Sequence, residues 1–166
     1  MRRRYMMTFQ MWLPAMMCAA TAMPASAQVS AKSGETVVLS AHAVGAQVYD
    51  RKAGEGGKLA WQFREPIATL IQDGETVGRH YKGPTWEHAD GSRISGKQVD
   101  TQSGETVKDI AWLRLDGIEA GGSGVLAGVT AILRINTKGG QFAGPCDKAG
   151  TIMGAPYVAD YVFLKK

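Results

Sequence analysis

Thirteen residues near the middle of the chain bring together two histidines, two large aromatics and two carboxylates: His80-Tyr81-Lys82-Gly83-Pro84-Thr85-Trp86-Glu87-His88-Ala89-Asp90-Gly91-Ser92. Three chemistries could use them. A metal centre would recruit His80, Glu87, His88 and Asp90, but in extended chain neighbouring side chains face opposite ways, so His80 parts from Tyr81 and Glu87 from His88. At most half of that set converges, and donors such as His42 or Asp160 would have to complete it; no metal site is assigned. A hydrolase would pair Glu87 with His80 or Asp90 as general acid and base, with Trp86 and Tyr81 supplying the apolar surroundings that raise a carboxyl pKa. Binding asks less of the residues. Tyr81 and Trp86, with Trp61 and Trp112, offer flat apolar faces, while Arg79, Glu87 and Asp90 offer directional hydrogen bonds, the mixture that sugars and other polar small molecules need. The preferred reading is therefore a non-catalytic domain that binds a small polar ligand, such as a glycan, on the surface carrying Tyr81, Trp86 and Glu87. Two blander arrangements stay open. In one, Tyr81 and Trp86 are core aromatics and Gly83-Pro84 and Asp90-Gly91 are hairpin corners; in the other, the protein is a structural, envelope-associated one with no small-molecule site.

The elements that would position this run are strands. Val44, Ala46 and Val48 alternate against Gly45, Gln47 and Tyr49 with a period of two, and Leu59, Trp61 and Phe63 share one face of the next segment. Asp73-Gly74 between Ile67–Ile71 and Thr76–Tyr81 is a hairpin signal, and Gly83-Pro84 and Asp90-Gly91 turn the chain again. Ile110–Leu115 reads as a buried strand closed by Asp116-Gly117. The β-branched residues of Val125–Thr137 argue for one long strand, and Tyr157, Ala159, Tyr161 and Phe163 alternate in a closing one. About nine or ten short strands without an amphipathic helix predict an all-β domain, an antiparallel sandwich or a closed barrel. Gly-Glu-Thr-Val recurs at 34–37, 74–77 and 104–107, with unequal spacing and unmatched flanks, and reads as a turn-to-strand signature rather than a repeat.

Charge and the first residues set the location. Arg2-Arg3-Arg4, the apolar stretch Met11–Met23 and Ala25-Ser26-Ala27 form the three regions of a secretory signal peptide over residues 1–27. The apolar stretch is shorter than a membrane span, is interrupted by Pro14 and is followed at once by Pro24. A short polar leader, 28–36, and a single β domain, 37–166, follow, and the mature chain is expected in the periplasm or outside the cell with no membrane span. The three arginines leave with the signal, so 16 basic residues face 15 acidic ones, a net +1. The sequence pI of about 9.1 is therefore no nucleic-acid footprint. Cys18 leaves too, making Cys146 the single thiol of the mature sequence. Nothing in the chain fixes the oligomeric state.

Gly122-Ser123-Gly124-Val125-Leu126-Ala127 satisfies the spacing of a dinucleotide-binding loop, with Asp147 downstream. Such a loop must open a helix, and the β-branched residues that follow oppose one. No cofactor and no NAD-dependent dehydrogenase activity are assigned.

Several segments together resemble a family. They are Gly45-Ala46-Gln47-Val48-Tyr49, Trp61-Gln62-Phe63, Val77-Gly78-Arg79-His80-Tyr81-x-Gly83-Pro84-Thr85-Trp86-Glu87-x-x-Asp90-Gly91-Ser92, Trp112-Leu113, Gly124-Val125-Leu126-x-x-Val129-Thr130, Thr137-x-Gly139-Gly140, Cys146-Asp147 and Pro156-Tyr157-x-Ala159-x-Tyr161. They are similar to the exported bacterial and fungal family called domain of unknown function 3455, over nearly the whole mature chain. The resemblance implies an exported single domain without an established activity; the malate dehydrogenase label of some fungal members finds no support in the glycine loop. It also implies a cysteine beside the opening strand's tyrosine, able to pair with the later one. Here Tyr49-Asp50-Arg51 has no thiol, so Cys146 is expected to be unpaired and the 139–150 loop loose.

Overall fold

The computed structural model of the protein describes residues 29–145 and 148–166; the expected signal peptide and Cys146 lie outside the described residues. Among these residues eight strands follow in order: β1 (Thr36–Ala53), β2 (Leu59–Gln72), β3 (Glu75–Tyr81), β4 (Thr85–His88), β5 (Arg93–Gln102), β6 (Trp112–Gly121), β7 (Ala131–Gly139) and β8 (Ile152–Lys165). Each pairs antiparallel with its sequence neighbour, and β8 pairs with β1. The result is a closed up-and-down barrel, one of the two architectures expected. Closure removes the exposed edges that an open sheet would carry. Among the described residues no helix is long and apolar enough to cross a membrane.

The strands are fewer and longer than the sequence suggests because two breaks are absorbed as irregularities. Segments 37–41 and 44–49 form one strand, β1. The two runs around Pro66 likewise join as β2, with Pro66 opposite Gln47 and a register shift two residues on, between Val48 and Tyr49. A bulge beside the proline accommodates its missing N–H. Asp116-Gly117 lies inside β6 instead of ending it. Asp73-Gly74 does turn the chain: both residues take left-handed φ values, 52° and 84°, the geometry that matches the twist of a two-residue hairpin. Gly-Glu-Thr-Val opens β1 and β3, but at 104–107 it is loop, where Thr106 bonds Asp109 through its backbone N–H (3.0 Å) and its hydroxyl (2.8 Å).

One expectation is overturned. Val125–Thr137 is not a single strand, since β7 starts at Ala131 and residues before it fold into the end of the barrel. Leu126 and Val129 are buried there among Leu39, Ile94, Leu115, Ile132 and Phe163. Side-chain acceptors capture the backbone: Asp90 Oδ2 accepts from Val125 N at 2.7 Å and Ser92 Oγ from Leu126 N at 3.2 Å. Tertiary contacts of this kind outweigh β propensity, which spans only about 1 kcal/mol.

Antiparallel order gives the barrel two distinct ends. The 73–74, 89–92 and 122–130 connections share the end plugged by Leu126 and Val129. The 54–58, 82–84, 103–111 and 140–151 connections share the other. Outside the wall, residues 29–35 form a strap in which Val29 packs on Ala131, Leu133 and Leu164. Arg114, buried on the outer face of β6, holds Glu35 in the strap and also bonds the Ser30 carbonyl at 3.3 Å. Its guanidinium holds the Glu35 carboxyl down to about 2.

Candidate functional site

The β3–β4 hairpin divides the thirteen-residue run between the two faces of the wall. His80 pairs with Trp86 and both point inward, 2% exposed, with rings stacked at 4.3 Å and 12°. Arg79 pairs with Glu87 and both point outward. There Tyr81 OH donates to Glu87 Oε2 at 2.8 Å, Arg79 Nη2 donates to both Glu87 oxygens at 3.1 Å, and the Arg79 guanidinium lies 5.1 Å from the Tyr81 ring centre. The Tyr81 hydroxyl and then the Arg79 cation lower the Glu87 pKa, while the bond to Glu87 raises that of Tyr81. The surface expected to carry Tyr81, Trp86 and Glu87 together therefore does not form: strand alternation puts Trp86 on the opposite side. Nor do Glu87 and His80 share a cleft, as an acid–base pair must.

Asp90 sits at the plugged end and is consumed by structure. Its Oδ1 accepts from Ser92 N at 2.8 Å and from the Ser92 hydroxyl at 2.5 Å, Oδ2 takes the Val125 N–H, and His88 Nδ1 lies 3.1 Å from Oδ2. The bonds from Ser92, then from Val125, hold the carboxyl well below the usual range. Gly124 supplies the clearance: its φ is 143°, and a Cβ there would collide with the Asp90 carboxylate. Of the two glycines that mimic a dinucleotide loop, Gly124 thus makes room for a side chain and Gly122 for the Gly91 backbone. His42 and Asp160, the extra metal donors considered above, bond each other at 2.8 Å across β1 and β8 on the outer wall, and Asn136 Nδ2 donates to the other Asp160 oxygen at 2.8 Å. Among the described residues no three His, Cys, Asp or Glu side chains gather as a metal site.

Inside the barrel lies a cavity of about 760 Å³. Its floor and walls include His80, Trp86, Leu113, Leu115 and Tyr161; Gln47, Tyr49 and Arg134 follow, and Lys82, Gly83, Gln98 and Gln141 form exposed parts of the rim. All of the connection residues that line it belong to the open end. Small side chains on β1, β2 and β8, at Ala41, Ala43, Ala68 and Ala159, leave room opposite the large aromatics.

Buried polar atoms of residues that line this cavity are left without partners. Gln47 Nε2, Trp86 Nε1 and Tyr161 OH complete no hydrogen bond among the described residues, and neither does the neighbouring Tyr157 OH. Gln47, Tyr157, Tyr161 and Arg134 lie close enough to perturb one another, but no pair of them meets both the distance and the angle of a full hydrogen bond. Burial raises the proton affinity of both phenols, so both are neutral hydroxyls. Burial lowers the His80 pKa to about 3, and the ring is neutral at physiological pH. Its Nδ1 lies 2.9 Å from the Thr85 carbonyl oxygen, which can only accept; Nδ1 therefore carries the proton and Nε2 is an acceptor. Each such buried atom left unmatched costs about 1–3 kcal/mol, so several in one cavity demand a cause.

Of the candidate residues, His80 and Trp86 reach the lumen; Arg79, Tyr81 and Glu87 do not, and Asp90 is at the far end. Sequence reasoning missed Gln47, Tyr161 and Arg134. The alternation of Tyr157, Ala159, Tyr161 and Phe163 held the signal for a single inward face, and Arg134 was visible as a lone cation two residues from Ile132 in an apolar run. The expected loose loop is tied down on both sides of residues 146 and 147. Gly140 N donates to the Pro156 carbonyl, Gln141 N to that of Lys108 and Gly150 N to that of Arg51, and Phe142 packs edge-on against Trp61 at 5.0 Å.

Searches of curated proteins and of solved structures returned no match to the chain. The family comparison did: residues 32–165 match the model described as protein of unknown function DUF3455, and the chain belongs to that family.

Proposed function

We propose that the protein binds a small molecule in the lumen of its barrel, entering from the end that carries the 82–84, 103–111 and 140–151 connections. The observation that carries this reading is the set of buried, unmatched polar atoms, Gln47 Nε2, Trp86 Nε1 and Tyr161 OH, around a 760 Å³ cavity with aromatic walls. A cavity of that size is within the ordinary range for ligand sites, about 300–1,000 Å³. The ligand of this proposal is polar with one apolar face: Trp86 and Tyr161 supply flat contact, and Gln47 and the indole N–H supply donors. A glycan on the outer wall is replaced by a smaller polar molecule inside. Among the described residues of the lumen Glu65 is paired with Arg64 and His80 with the Thr85 carbonyl, an arrangement that favours binding over acid–base hydrolysis. We retain export as part of the proposal, supported by the signal-like residues 1–27; mass spectrometry of the secreted protein should find Gln28 at its start. Crystals soaked with fragments, including methyl glycosides and aryl alcohols, should show density between His80, Trp86 and Arg134. Density confined to the outer face over Tyr81 and Glu87 would overturn the reading.

A further inference from the structure

Among the described residues three cations line the cavity, and they differ in what they touch. Arg64 is at the rim and spends its charge on Asp50 and Glu65, at 3.2 and 2.8 Å. Lys82 is exposed on the 82–84 turn. Arg134 belongs to the inner face of β7, across from Tyr161 on β8 and Leu113 on β6. Its Nε and Nη2 both donate to one acceptor, the Ala111 carbonyl, at 3.0 and 2.8 Å. No carboxylate pairs with it among the described residues; Glu65, the acidic residue on the lining, is taken by Arg64.

Arg114 on the neighbouring strand shows what a buried guanidinium in this protein receives when its role is structural: Glu35 on one side and Asp116 at 2.9 Å on the other. Arg134 has only neutral neighbours of this kind among the described residues, the Ala111 carbonyl and the Tyr161 hydroxyl, although it faces a partly desolvated space where a charge attracts an anion more strongly than it does in water. The cavity that Arg134 lines is also lined by Gln47, Trp86 and Tyr161, whose unmatched Nε2, Nε1 and OH can all donate, and a cation accompanied by such donors suits an oxygen anion.

We infer that the lumen ligand is a small carboxylic acid, its carboxylate on the Arg134 guanidinium and its apolar body against Trp86 and Tyr161. The inference rests on the lumen being the ligand site and adds the charge of what binds there.

The test compares matched pairs by calorimetry on the folded protein: 4-hydroxycinnamate, phenylacetate, hexanoate and octanoate, each against its methyl ester. At least one acid should bind about tenfold or more tightly than its ester, the scale of a hydrogen bond to a charged group. Arg134→Gln should erase that advantage by weakening the acid and leaving the ester unchanged. Arg134→Lys keeps the charge without the planar fork; it should retain part of the preference, and it carries the test if the glutamine variant does not fold. No acid binding more tightly than its ester, or a preference that survives Arg134→Gln, overturns the inference. Esters that bind as well as the acids would do so while leaving the lumen intact as a binding site.

Discussion

The two ends of the barrel are built from the same eight strands and treat their polar atoms in opposite ways. At the plugged end Asp90 fills both carboxylate oxygens and Ser92 accepts as well as donates, so that the 122–130 loop is fixed over an apolar layer. At the open end Gln47, Trp86 and Tyr161 hold buried polar atoms that nothing in the wall satisfies. Both ends contain reactive residue types. What separates them is whether the fold itself uses the hydrogen-bonding capacity, and that difference distinguishes a structural aspartate from a lumen prepared for a guest.

The largest effect should come from breaking the packed layer. Phe163→Ala, at a fully buried position, is expected to cost about 3–5 kcal/mol of unfolding free energy, whereas Phe63→Ala, 55% exposed at the open end, should cost less than about 1. Urea denaturation of the two variants measures the contrast directly; equal losses would mean that the ends are equally packed. Asp90→Asn comes next. It should lower the melting temperature and speed hydrogen exchange at Val125 and Leu126 without altering ligand affinity in the lumen, and an affinity change with stability intact would return Asp90 to the site.

Acid sharpens the comparison further. Burial lowers the folded-state pKa of His80 from 6.5 to about 3, so the unfolded chain takes up a proton first and stability, full above pH 6.5, is lost as pH falls toward 3. His80→Phe should flatten that part of the profile. Glu35, held at about 2 by its bond to Arg114 against an ordinary 4.5, contributes stability that is full above pH 4.5 and lost toward pH 2. Glu35→Gln should flatten the lower part alone, and melting curves from pH 7 to 2 separate the two windows. The smallest effect belongs to the outer wall: Glu87→Gln breaks the exposed cluster with Arg79 and Tyr81, and neither the unfolding midpoint nor lumen binding should change measurably.

The barrel was legible because its signals are local. Asp73-Gly74 made its turn, and period-two alternation identified the strands, including the inward row Tyr157, Ala159, Tyr161 and Phe163. The division of His80 from Tyr81 and of Glu87 from His88 also followed from alternation alone. What alternation does not give is which face is inside, since a closed wall hides one side and exposes the other only once eight strands have joined. Trp86 was therefore placed with Tyr81 and Glu87, its neighbours in sequence, instead of with Tyr161, 5.4 Å away in space. The 122–130 loop was illegible for a related reason: the acceptors that bend it, Asp90 and Ser92, lie more than thirty residues earlier.

The central claim is that the lumen, not the outer wall, is the binding surface. The indole N–H of Trp86 is a direct reporter, because it is buried, belongs to a residue that lines the cavity and has no partner among the described residues. In a heteronuclear NMR titration with whichever acid or ester binds in calorimetry, the Trp86 indole peak, assigned by its loss in Trp86→Phe, should move saturably. The Trp112 indole and the backbone peaks of Arg79 and Glu87 should stay in place. Saturable movement of Arg79, Tyr81 and Glu87 with the Trp86 indole fixed would contradict the account and return the ligand to the outer wall.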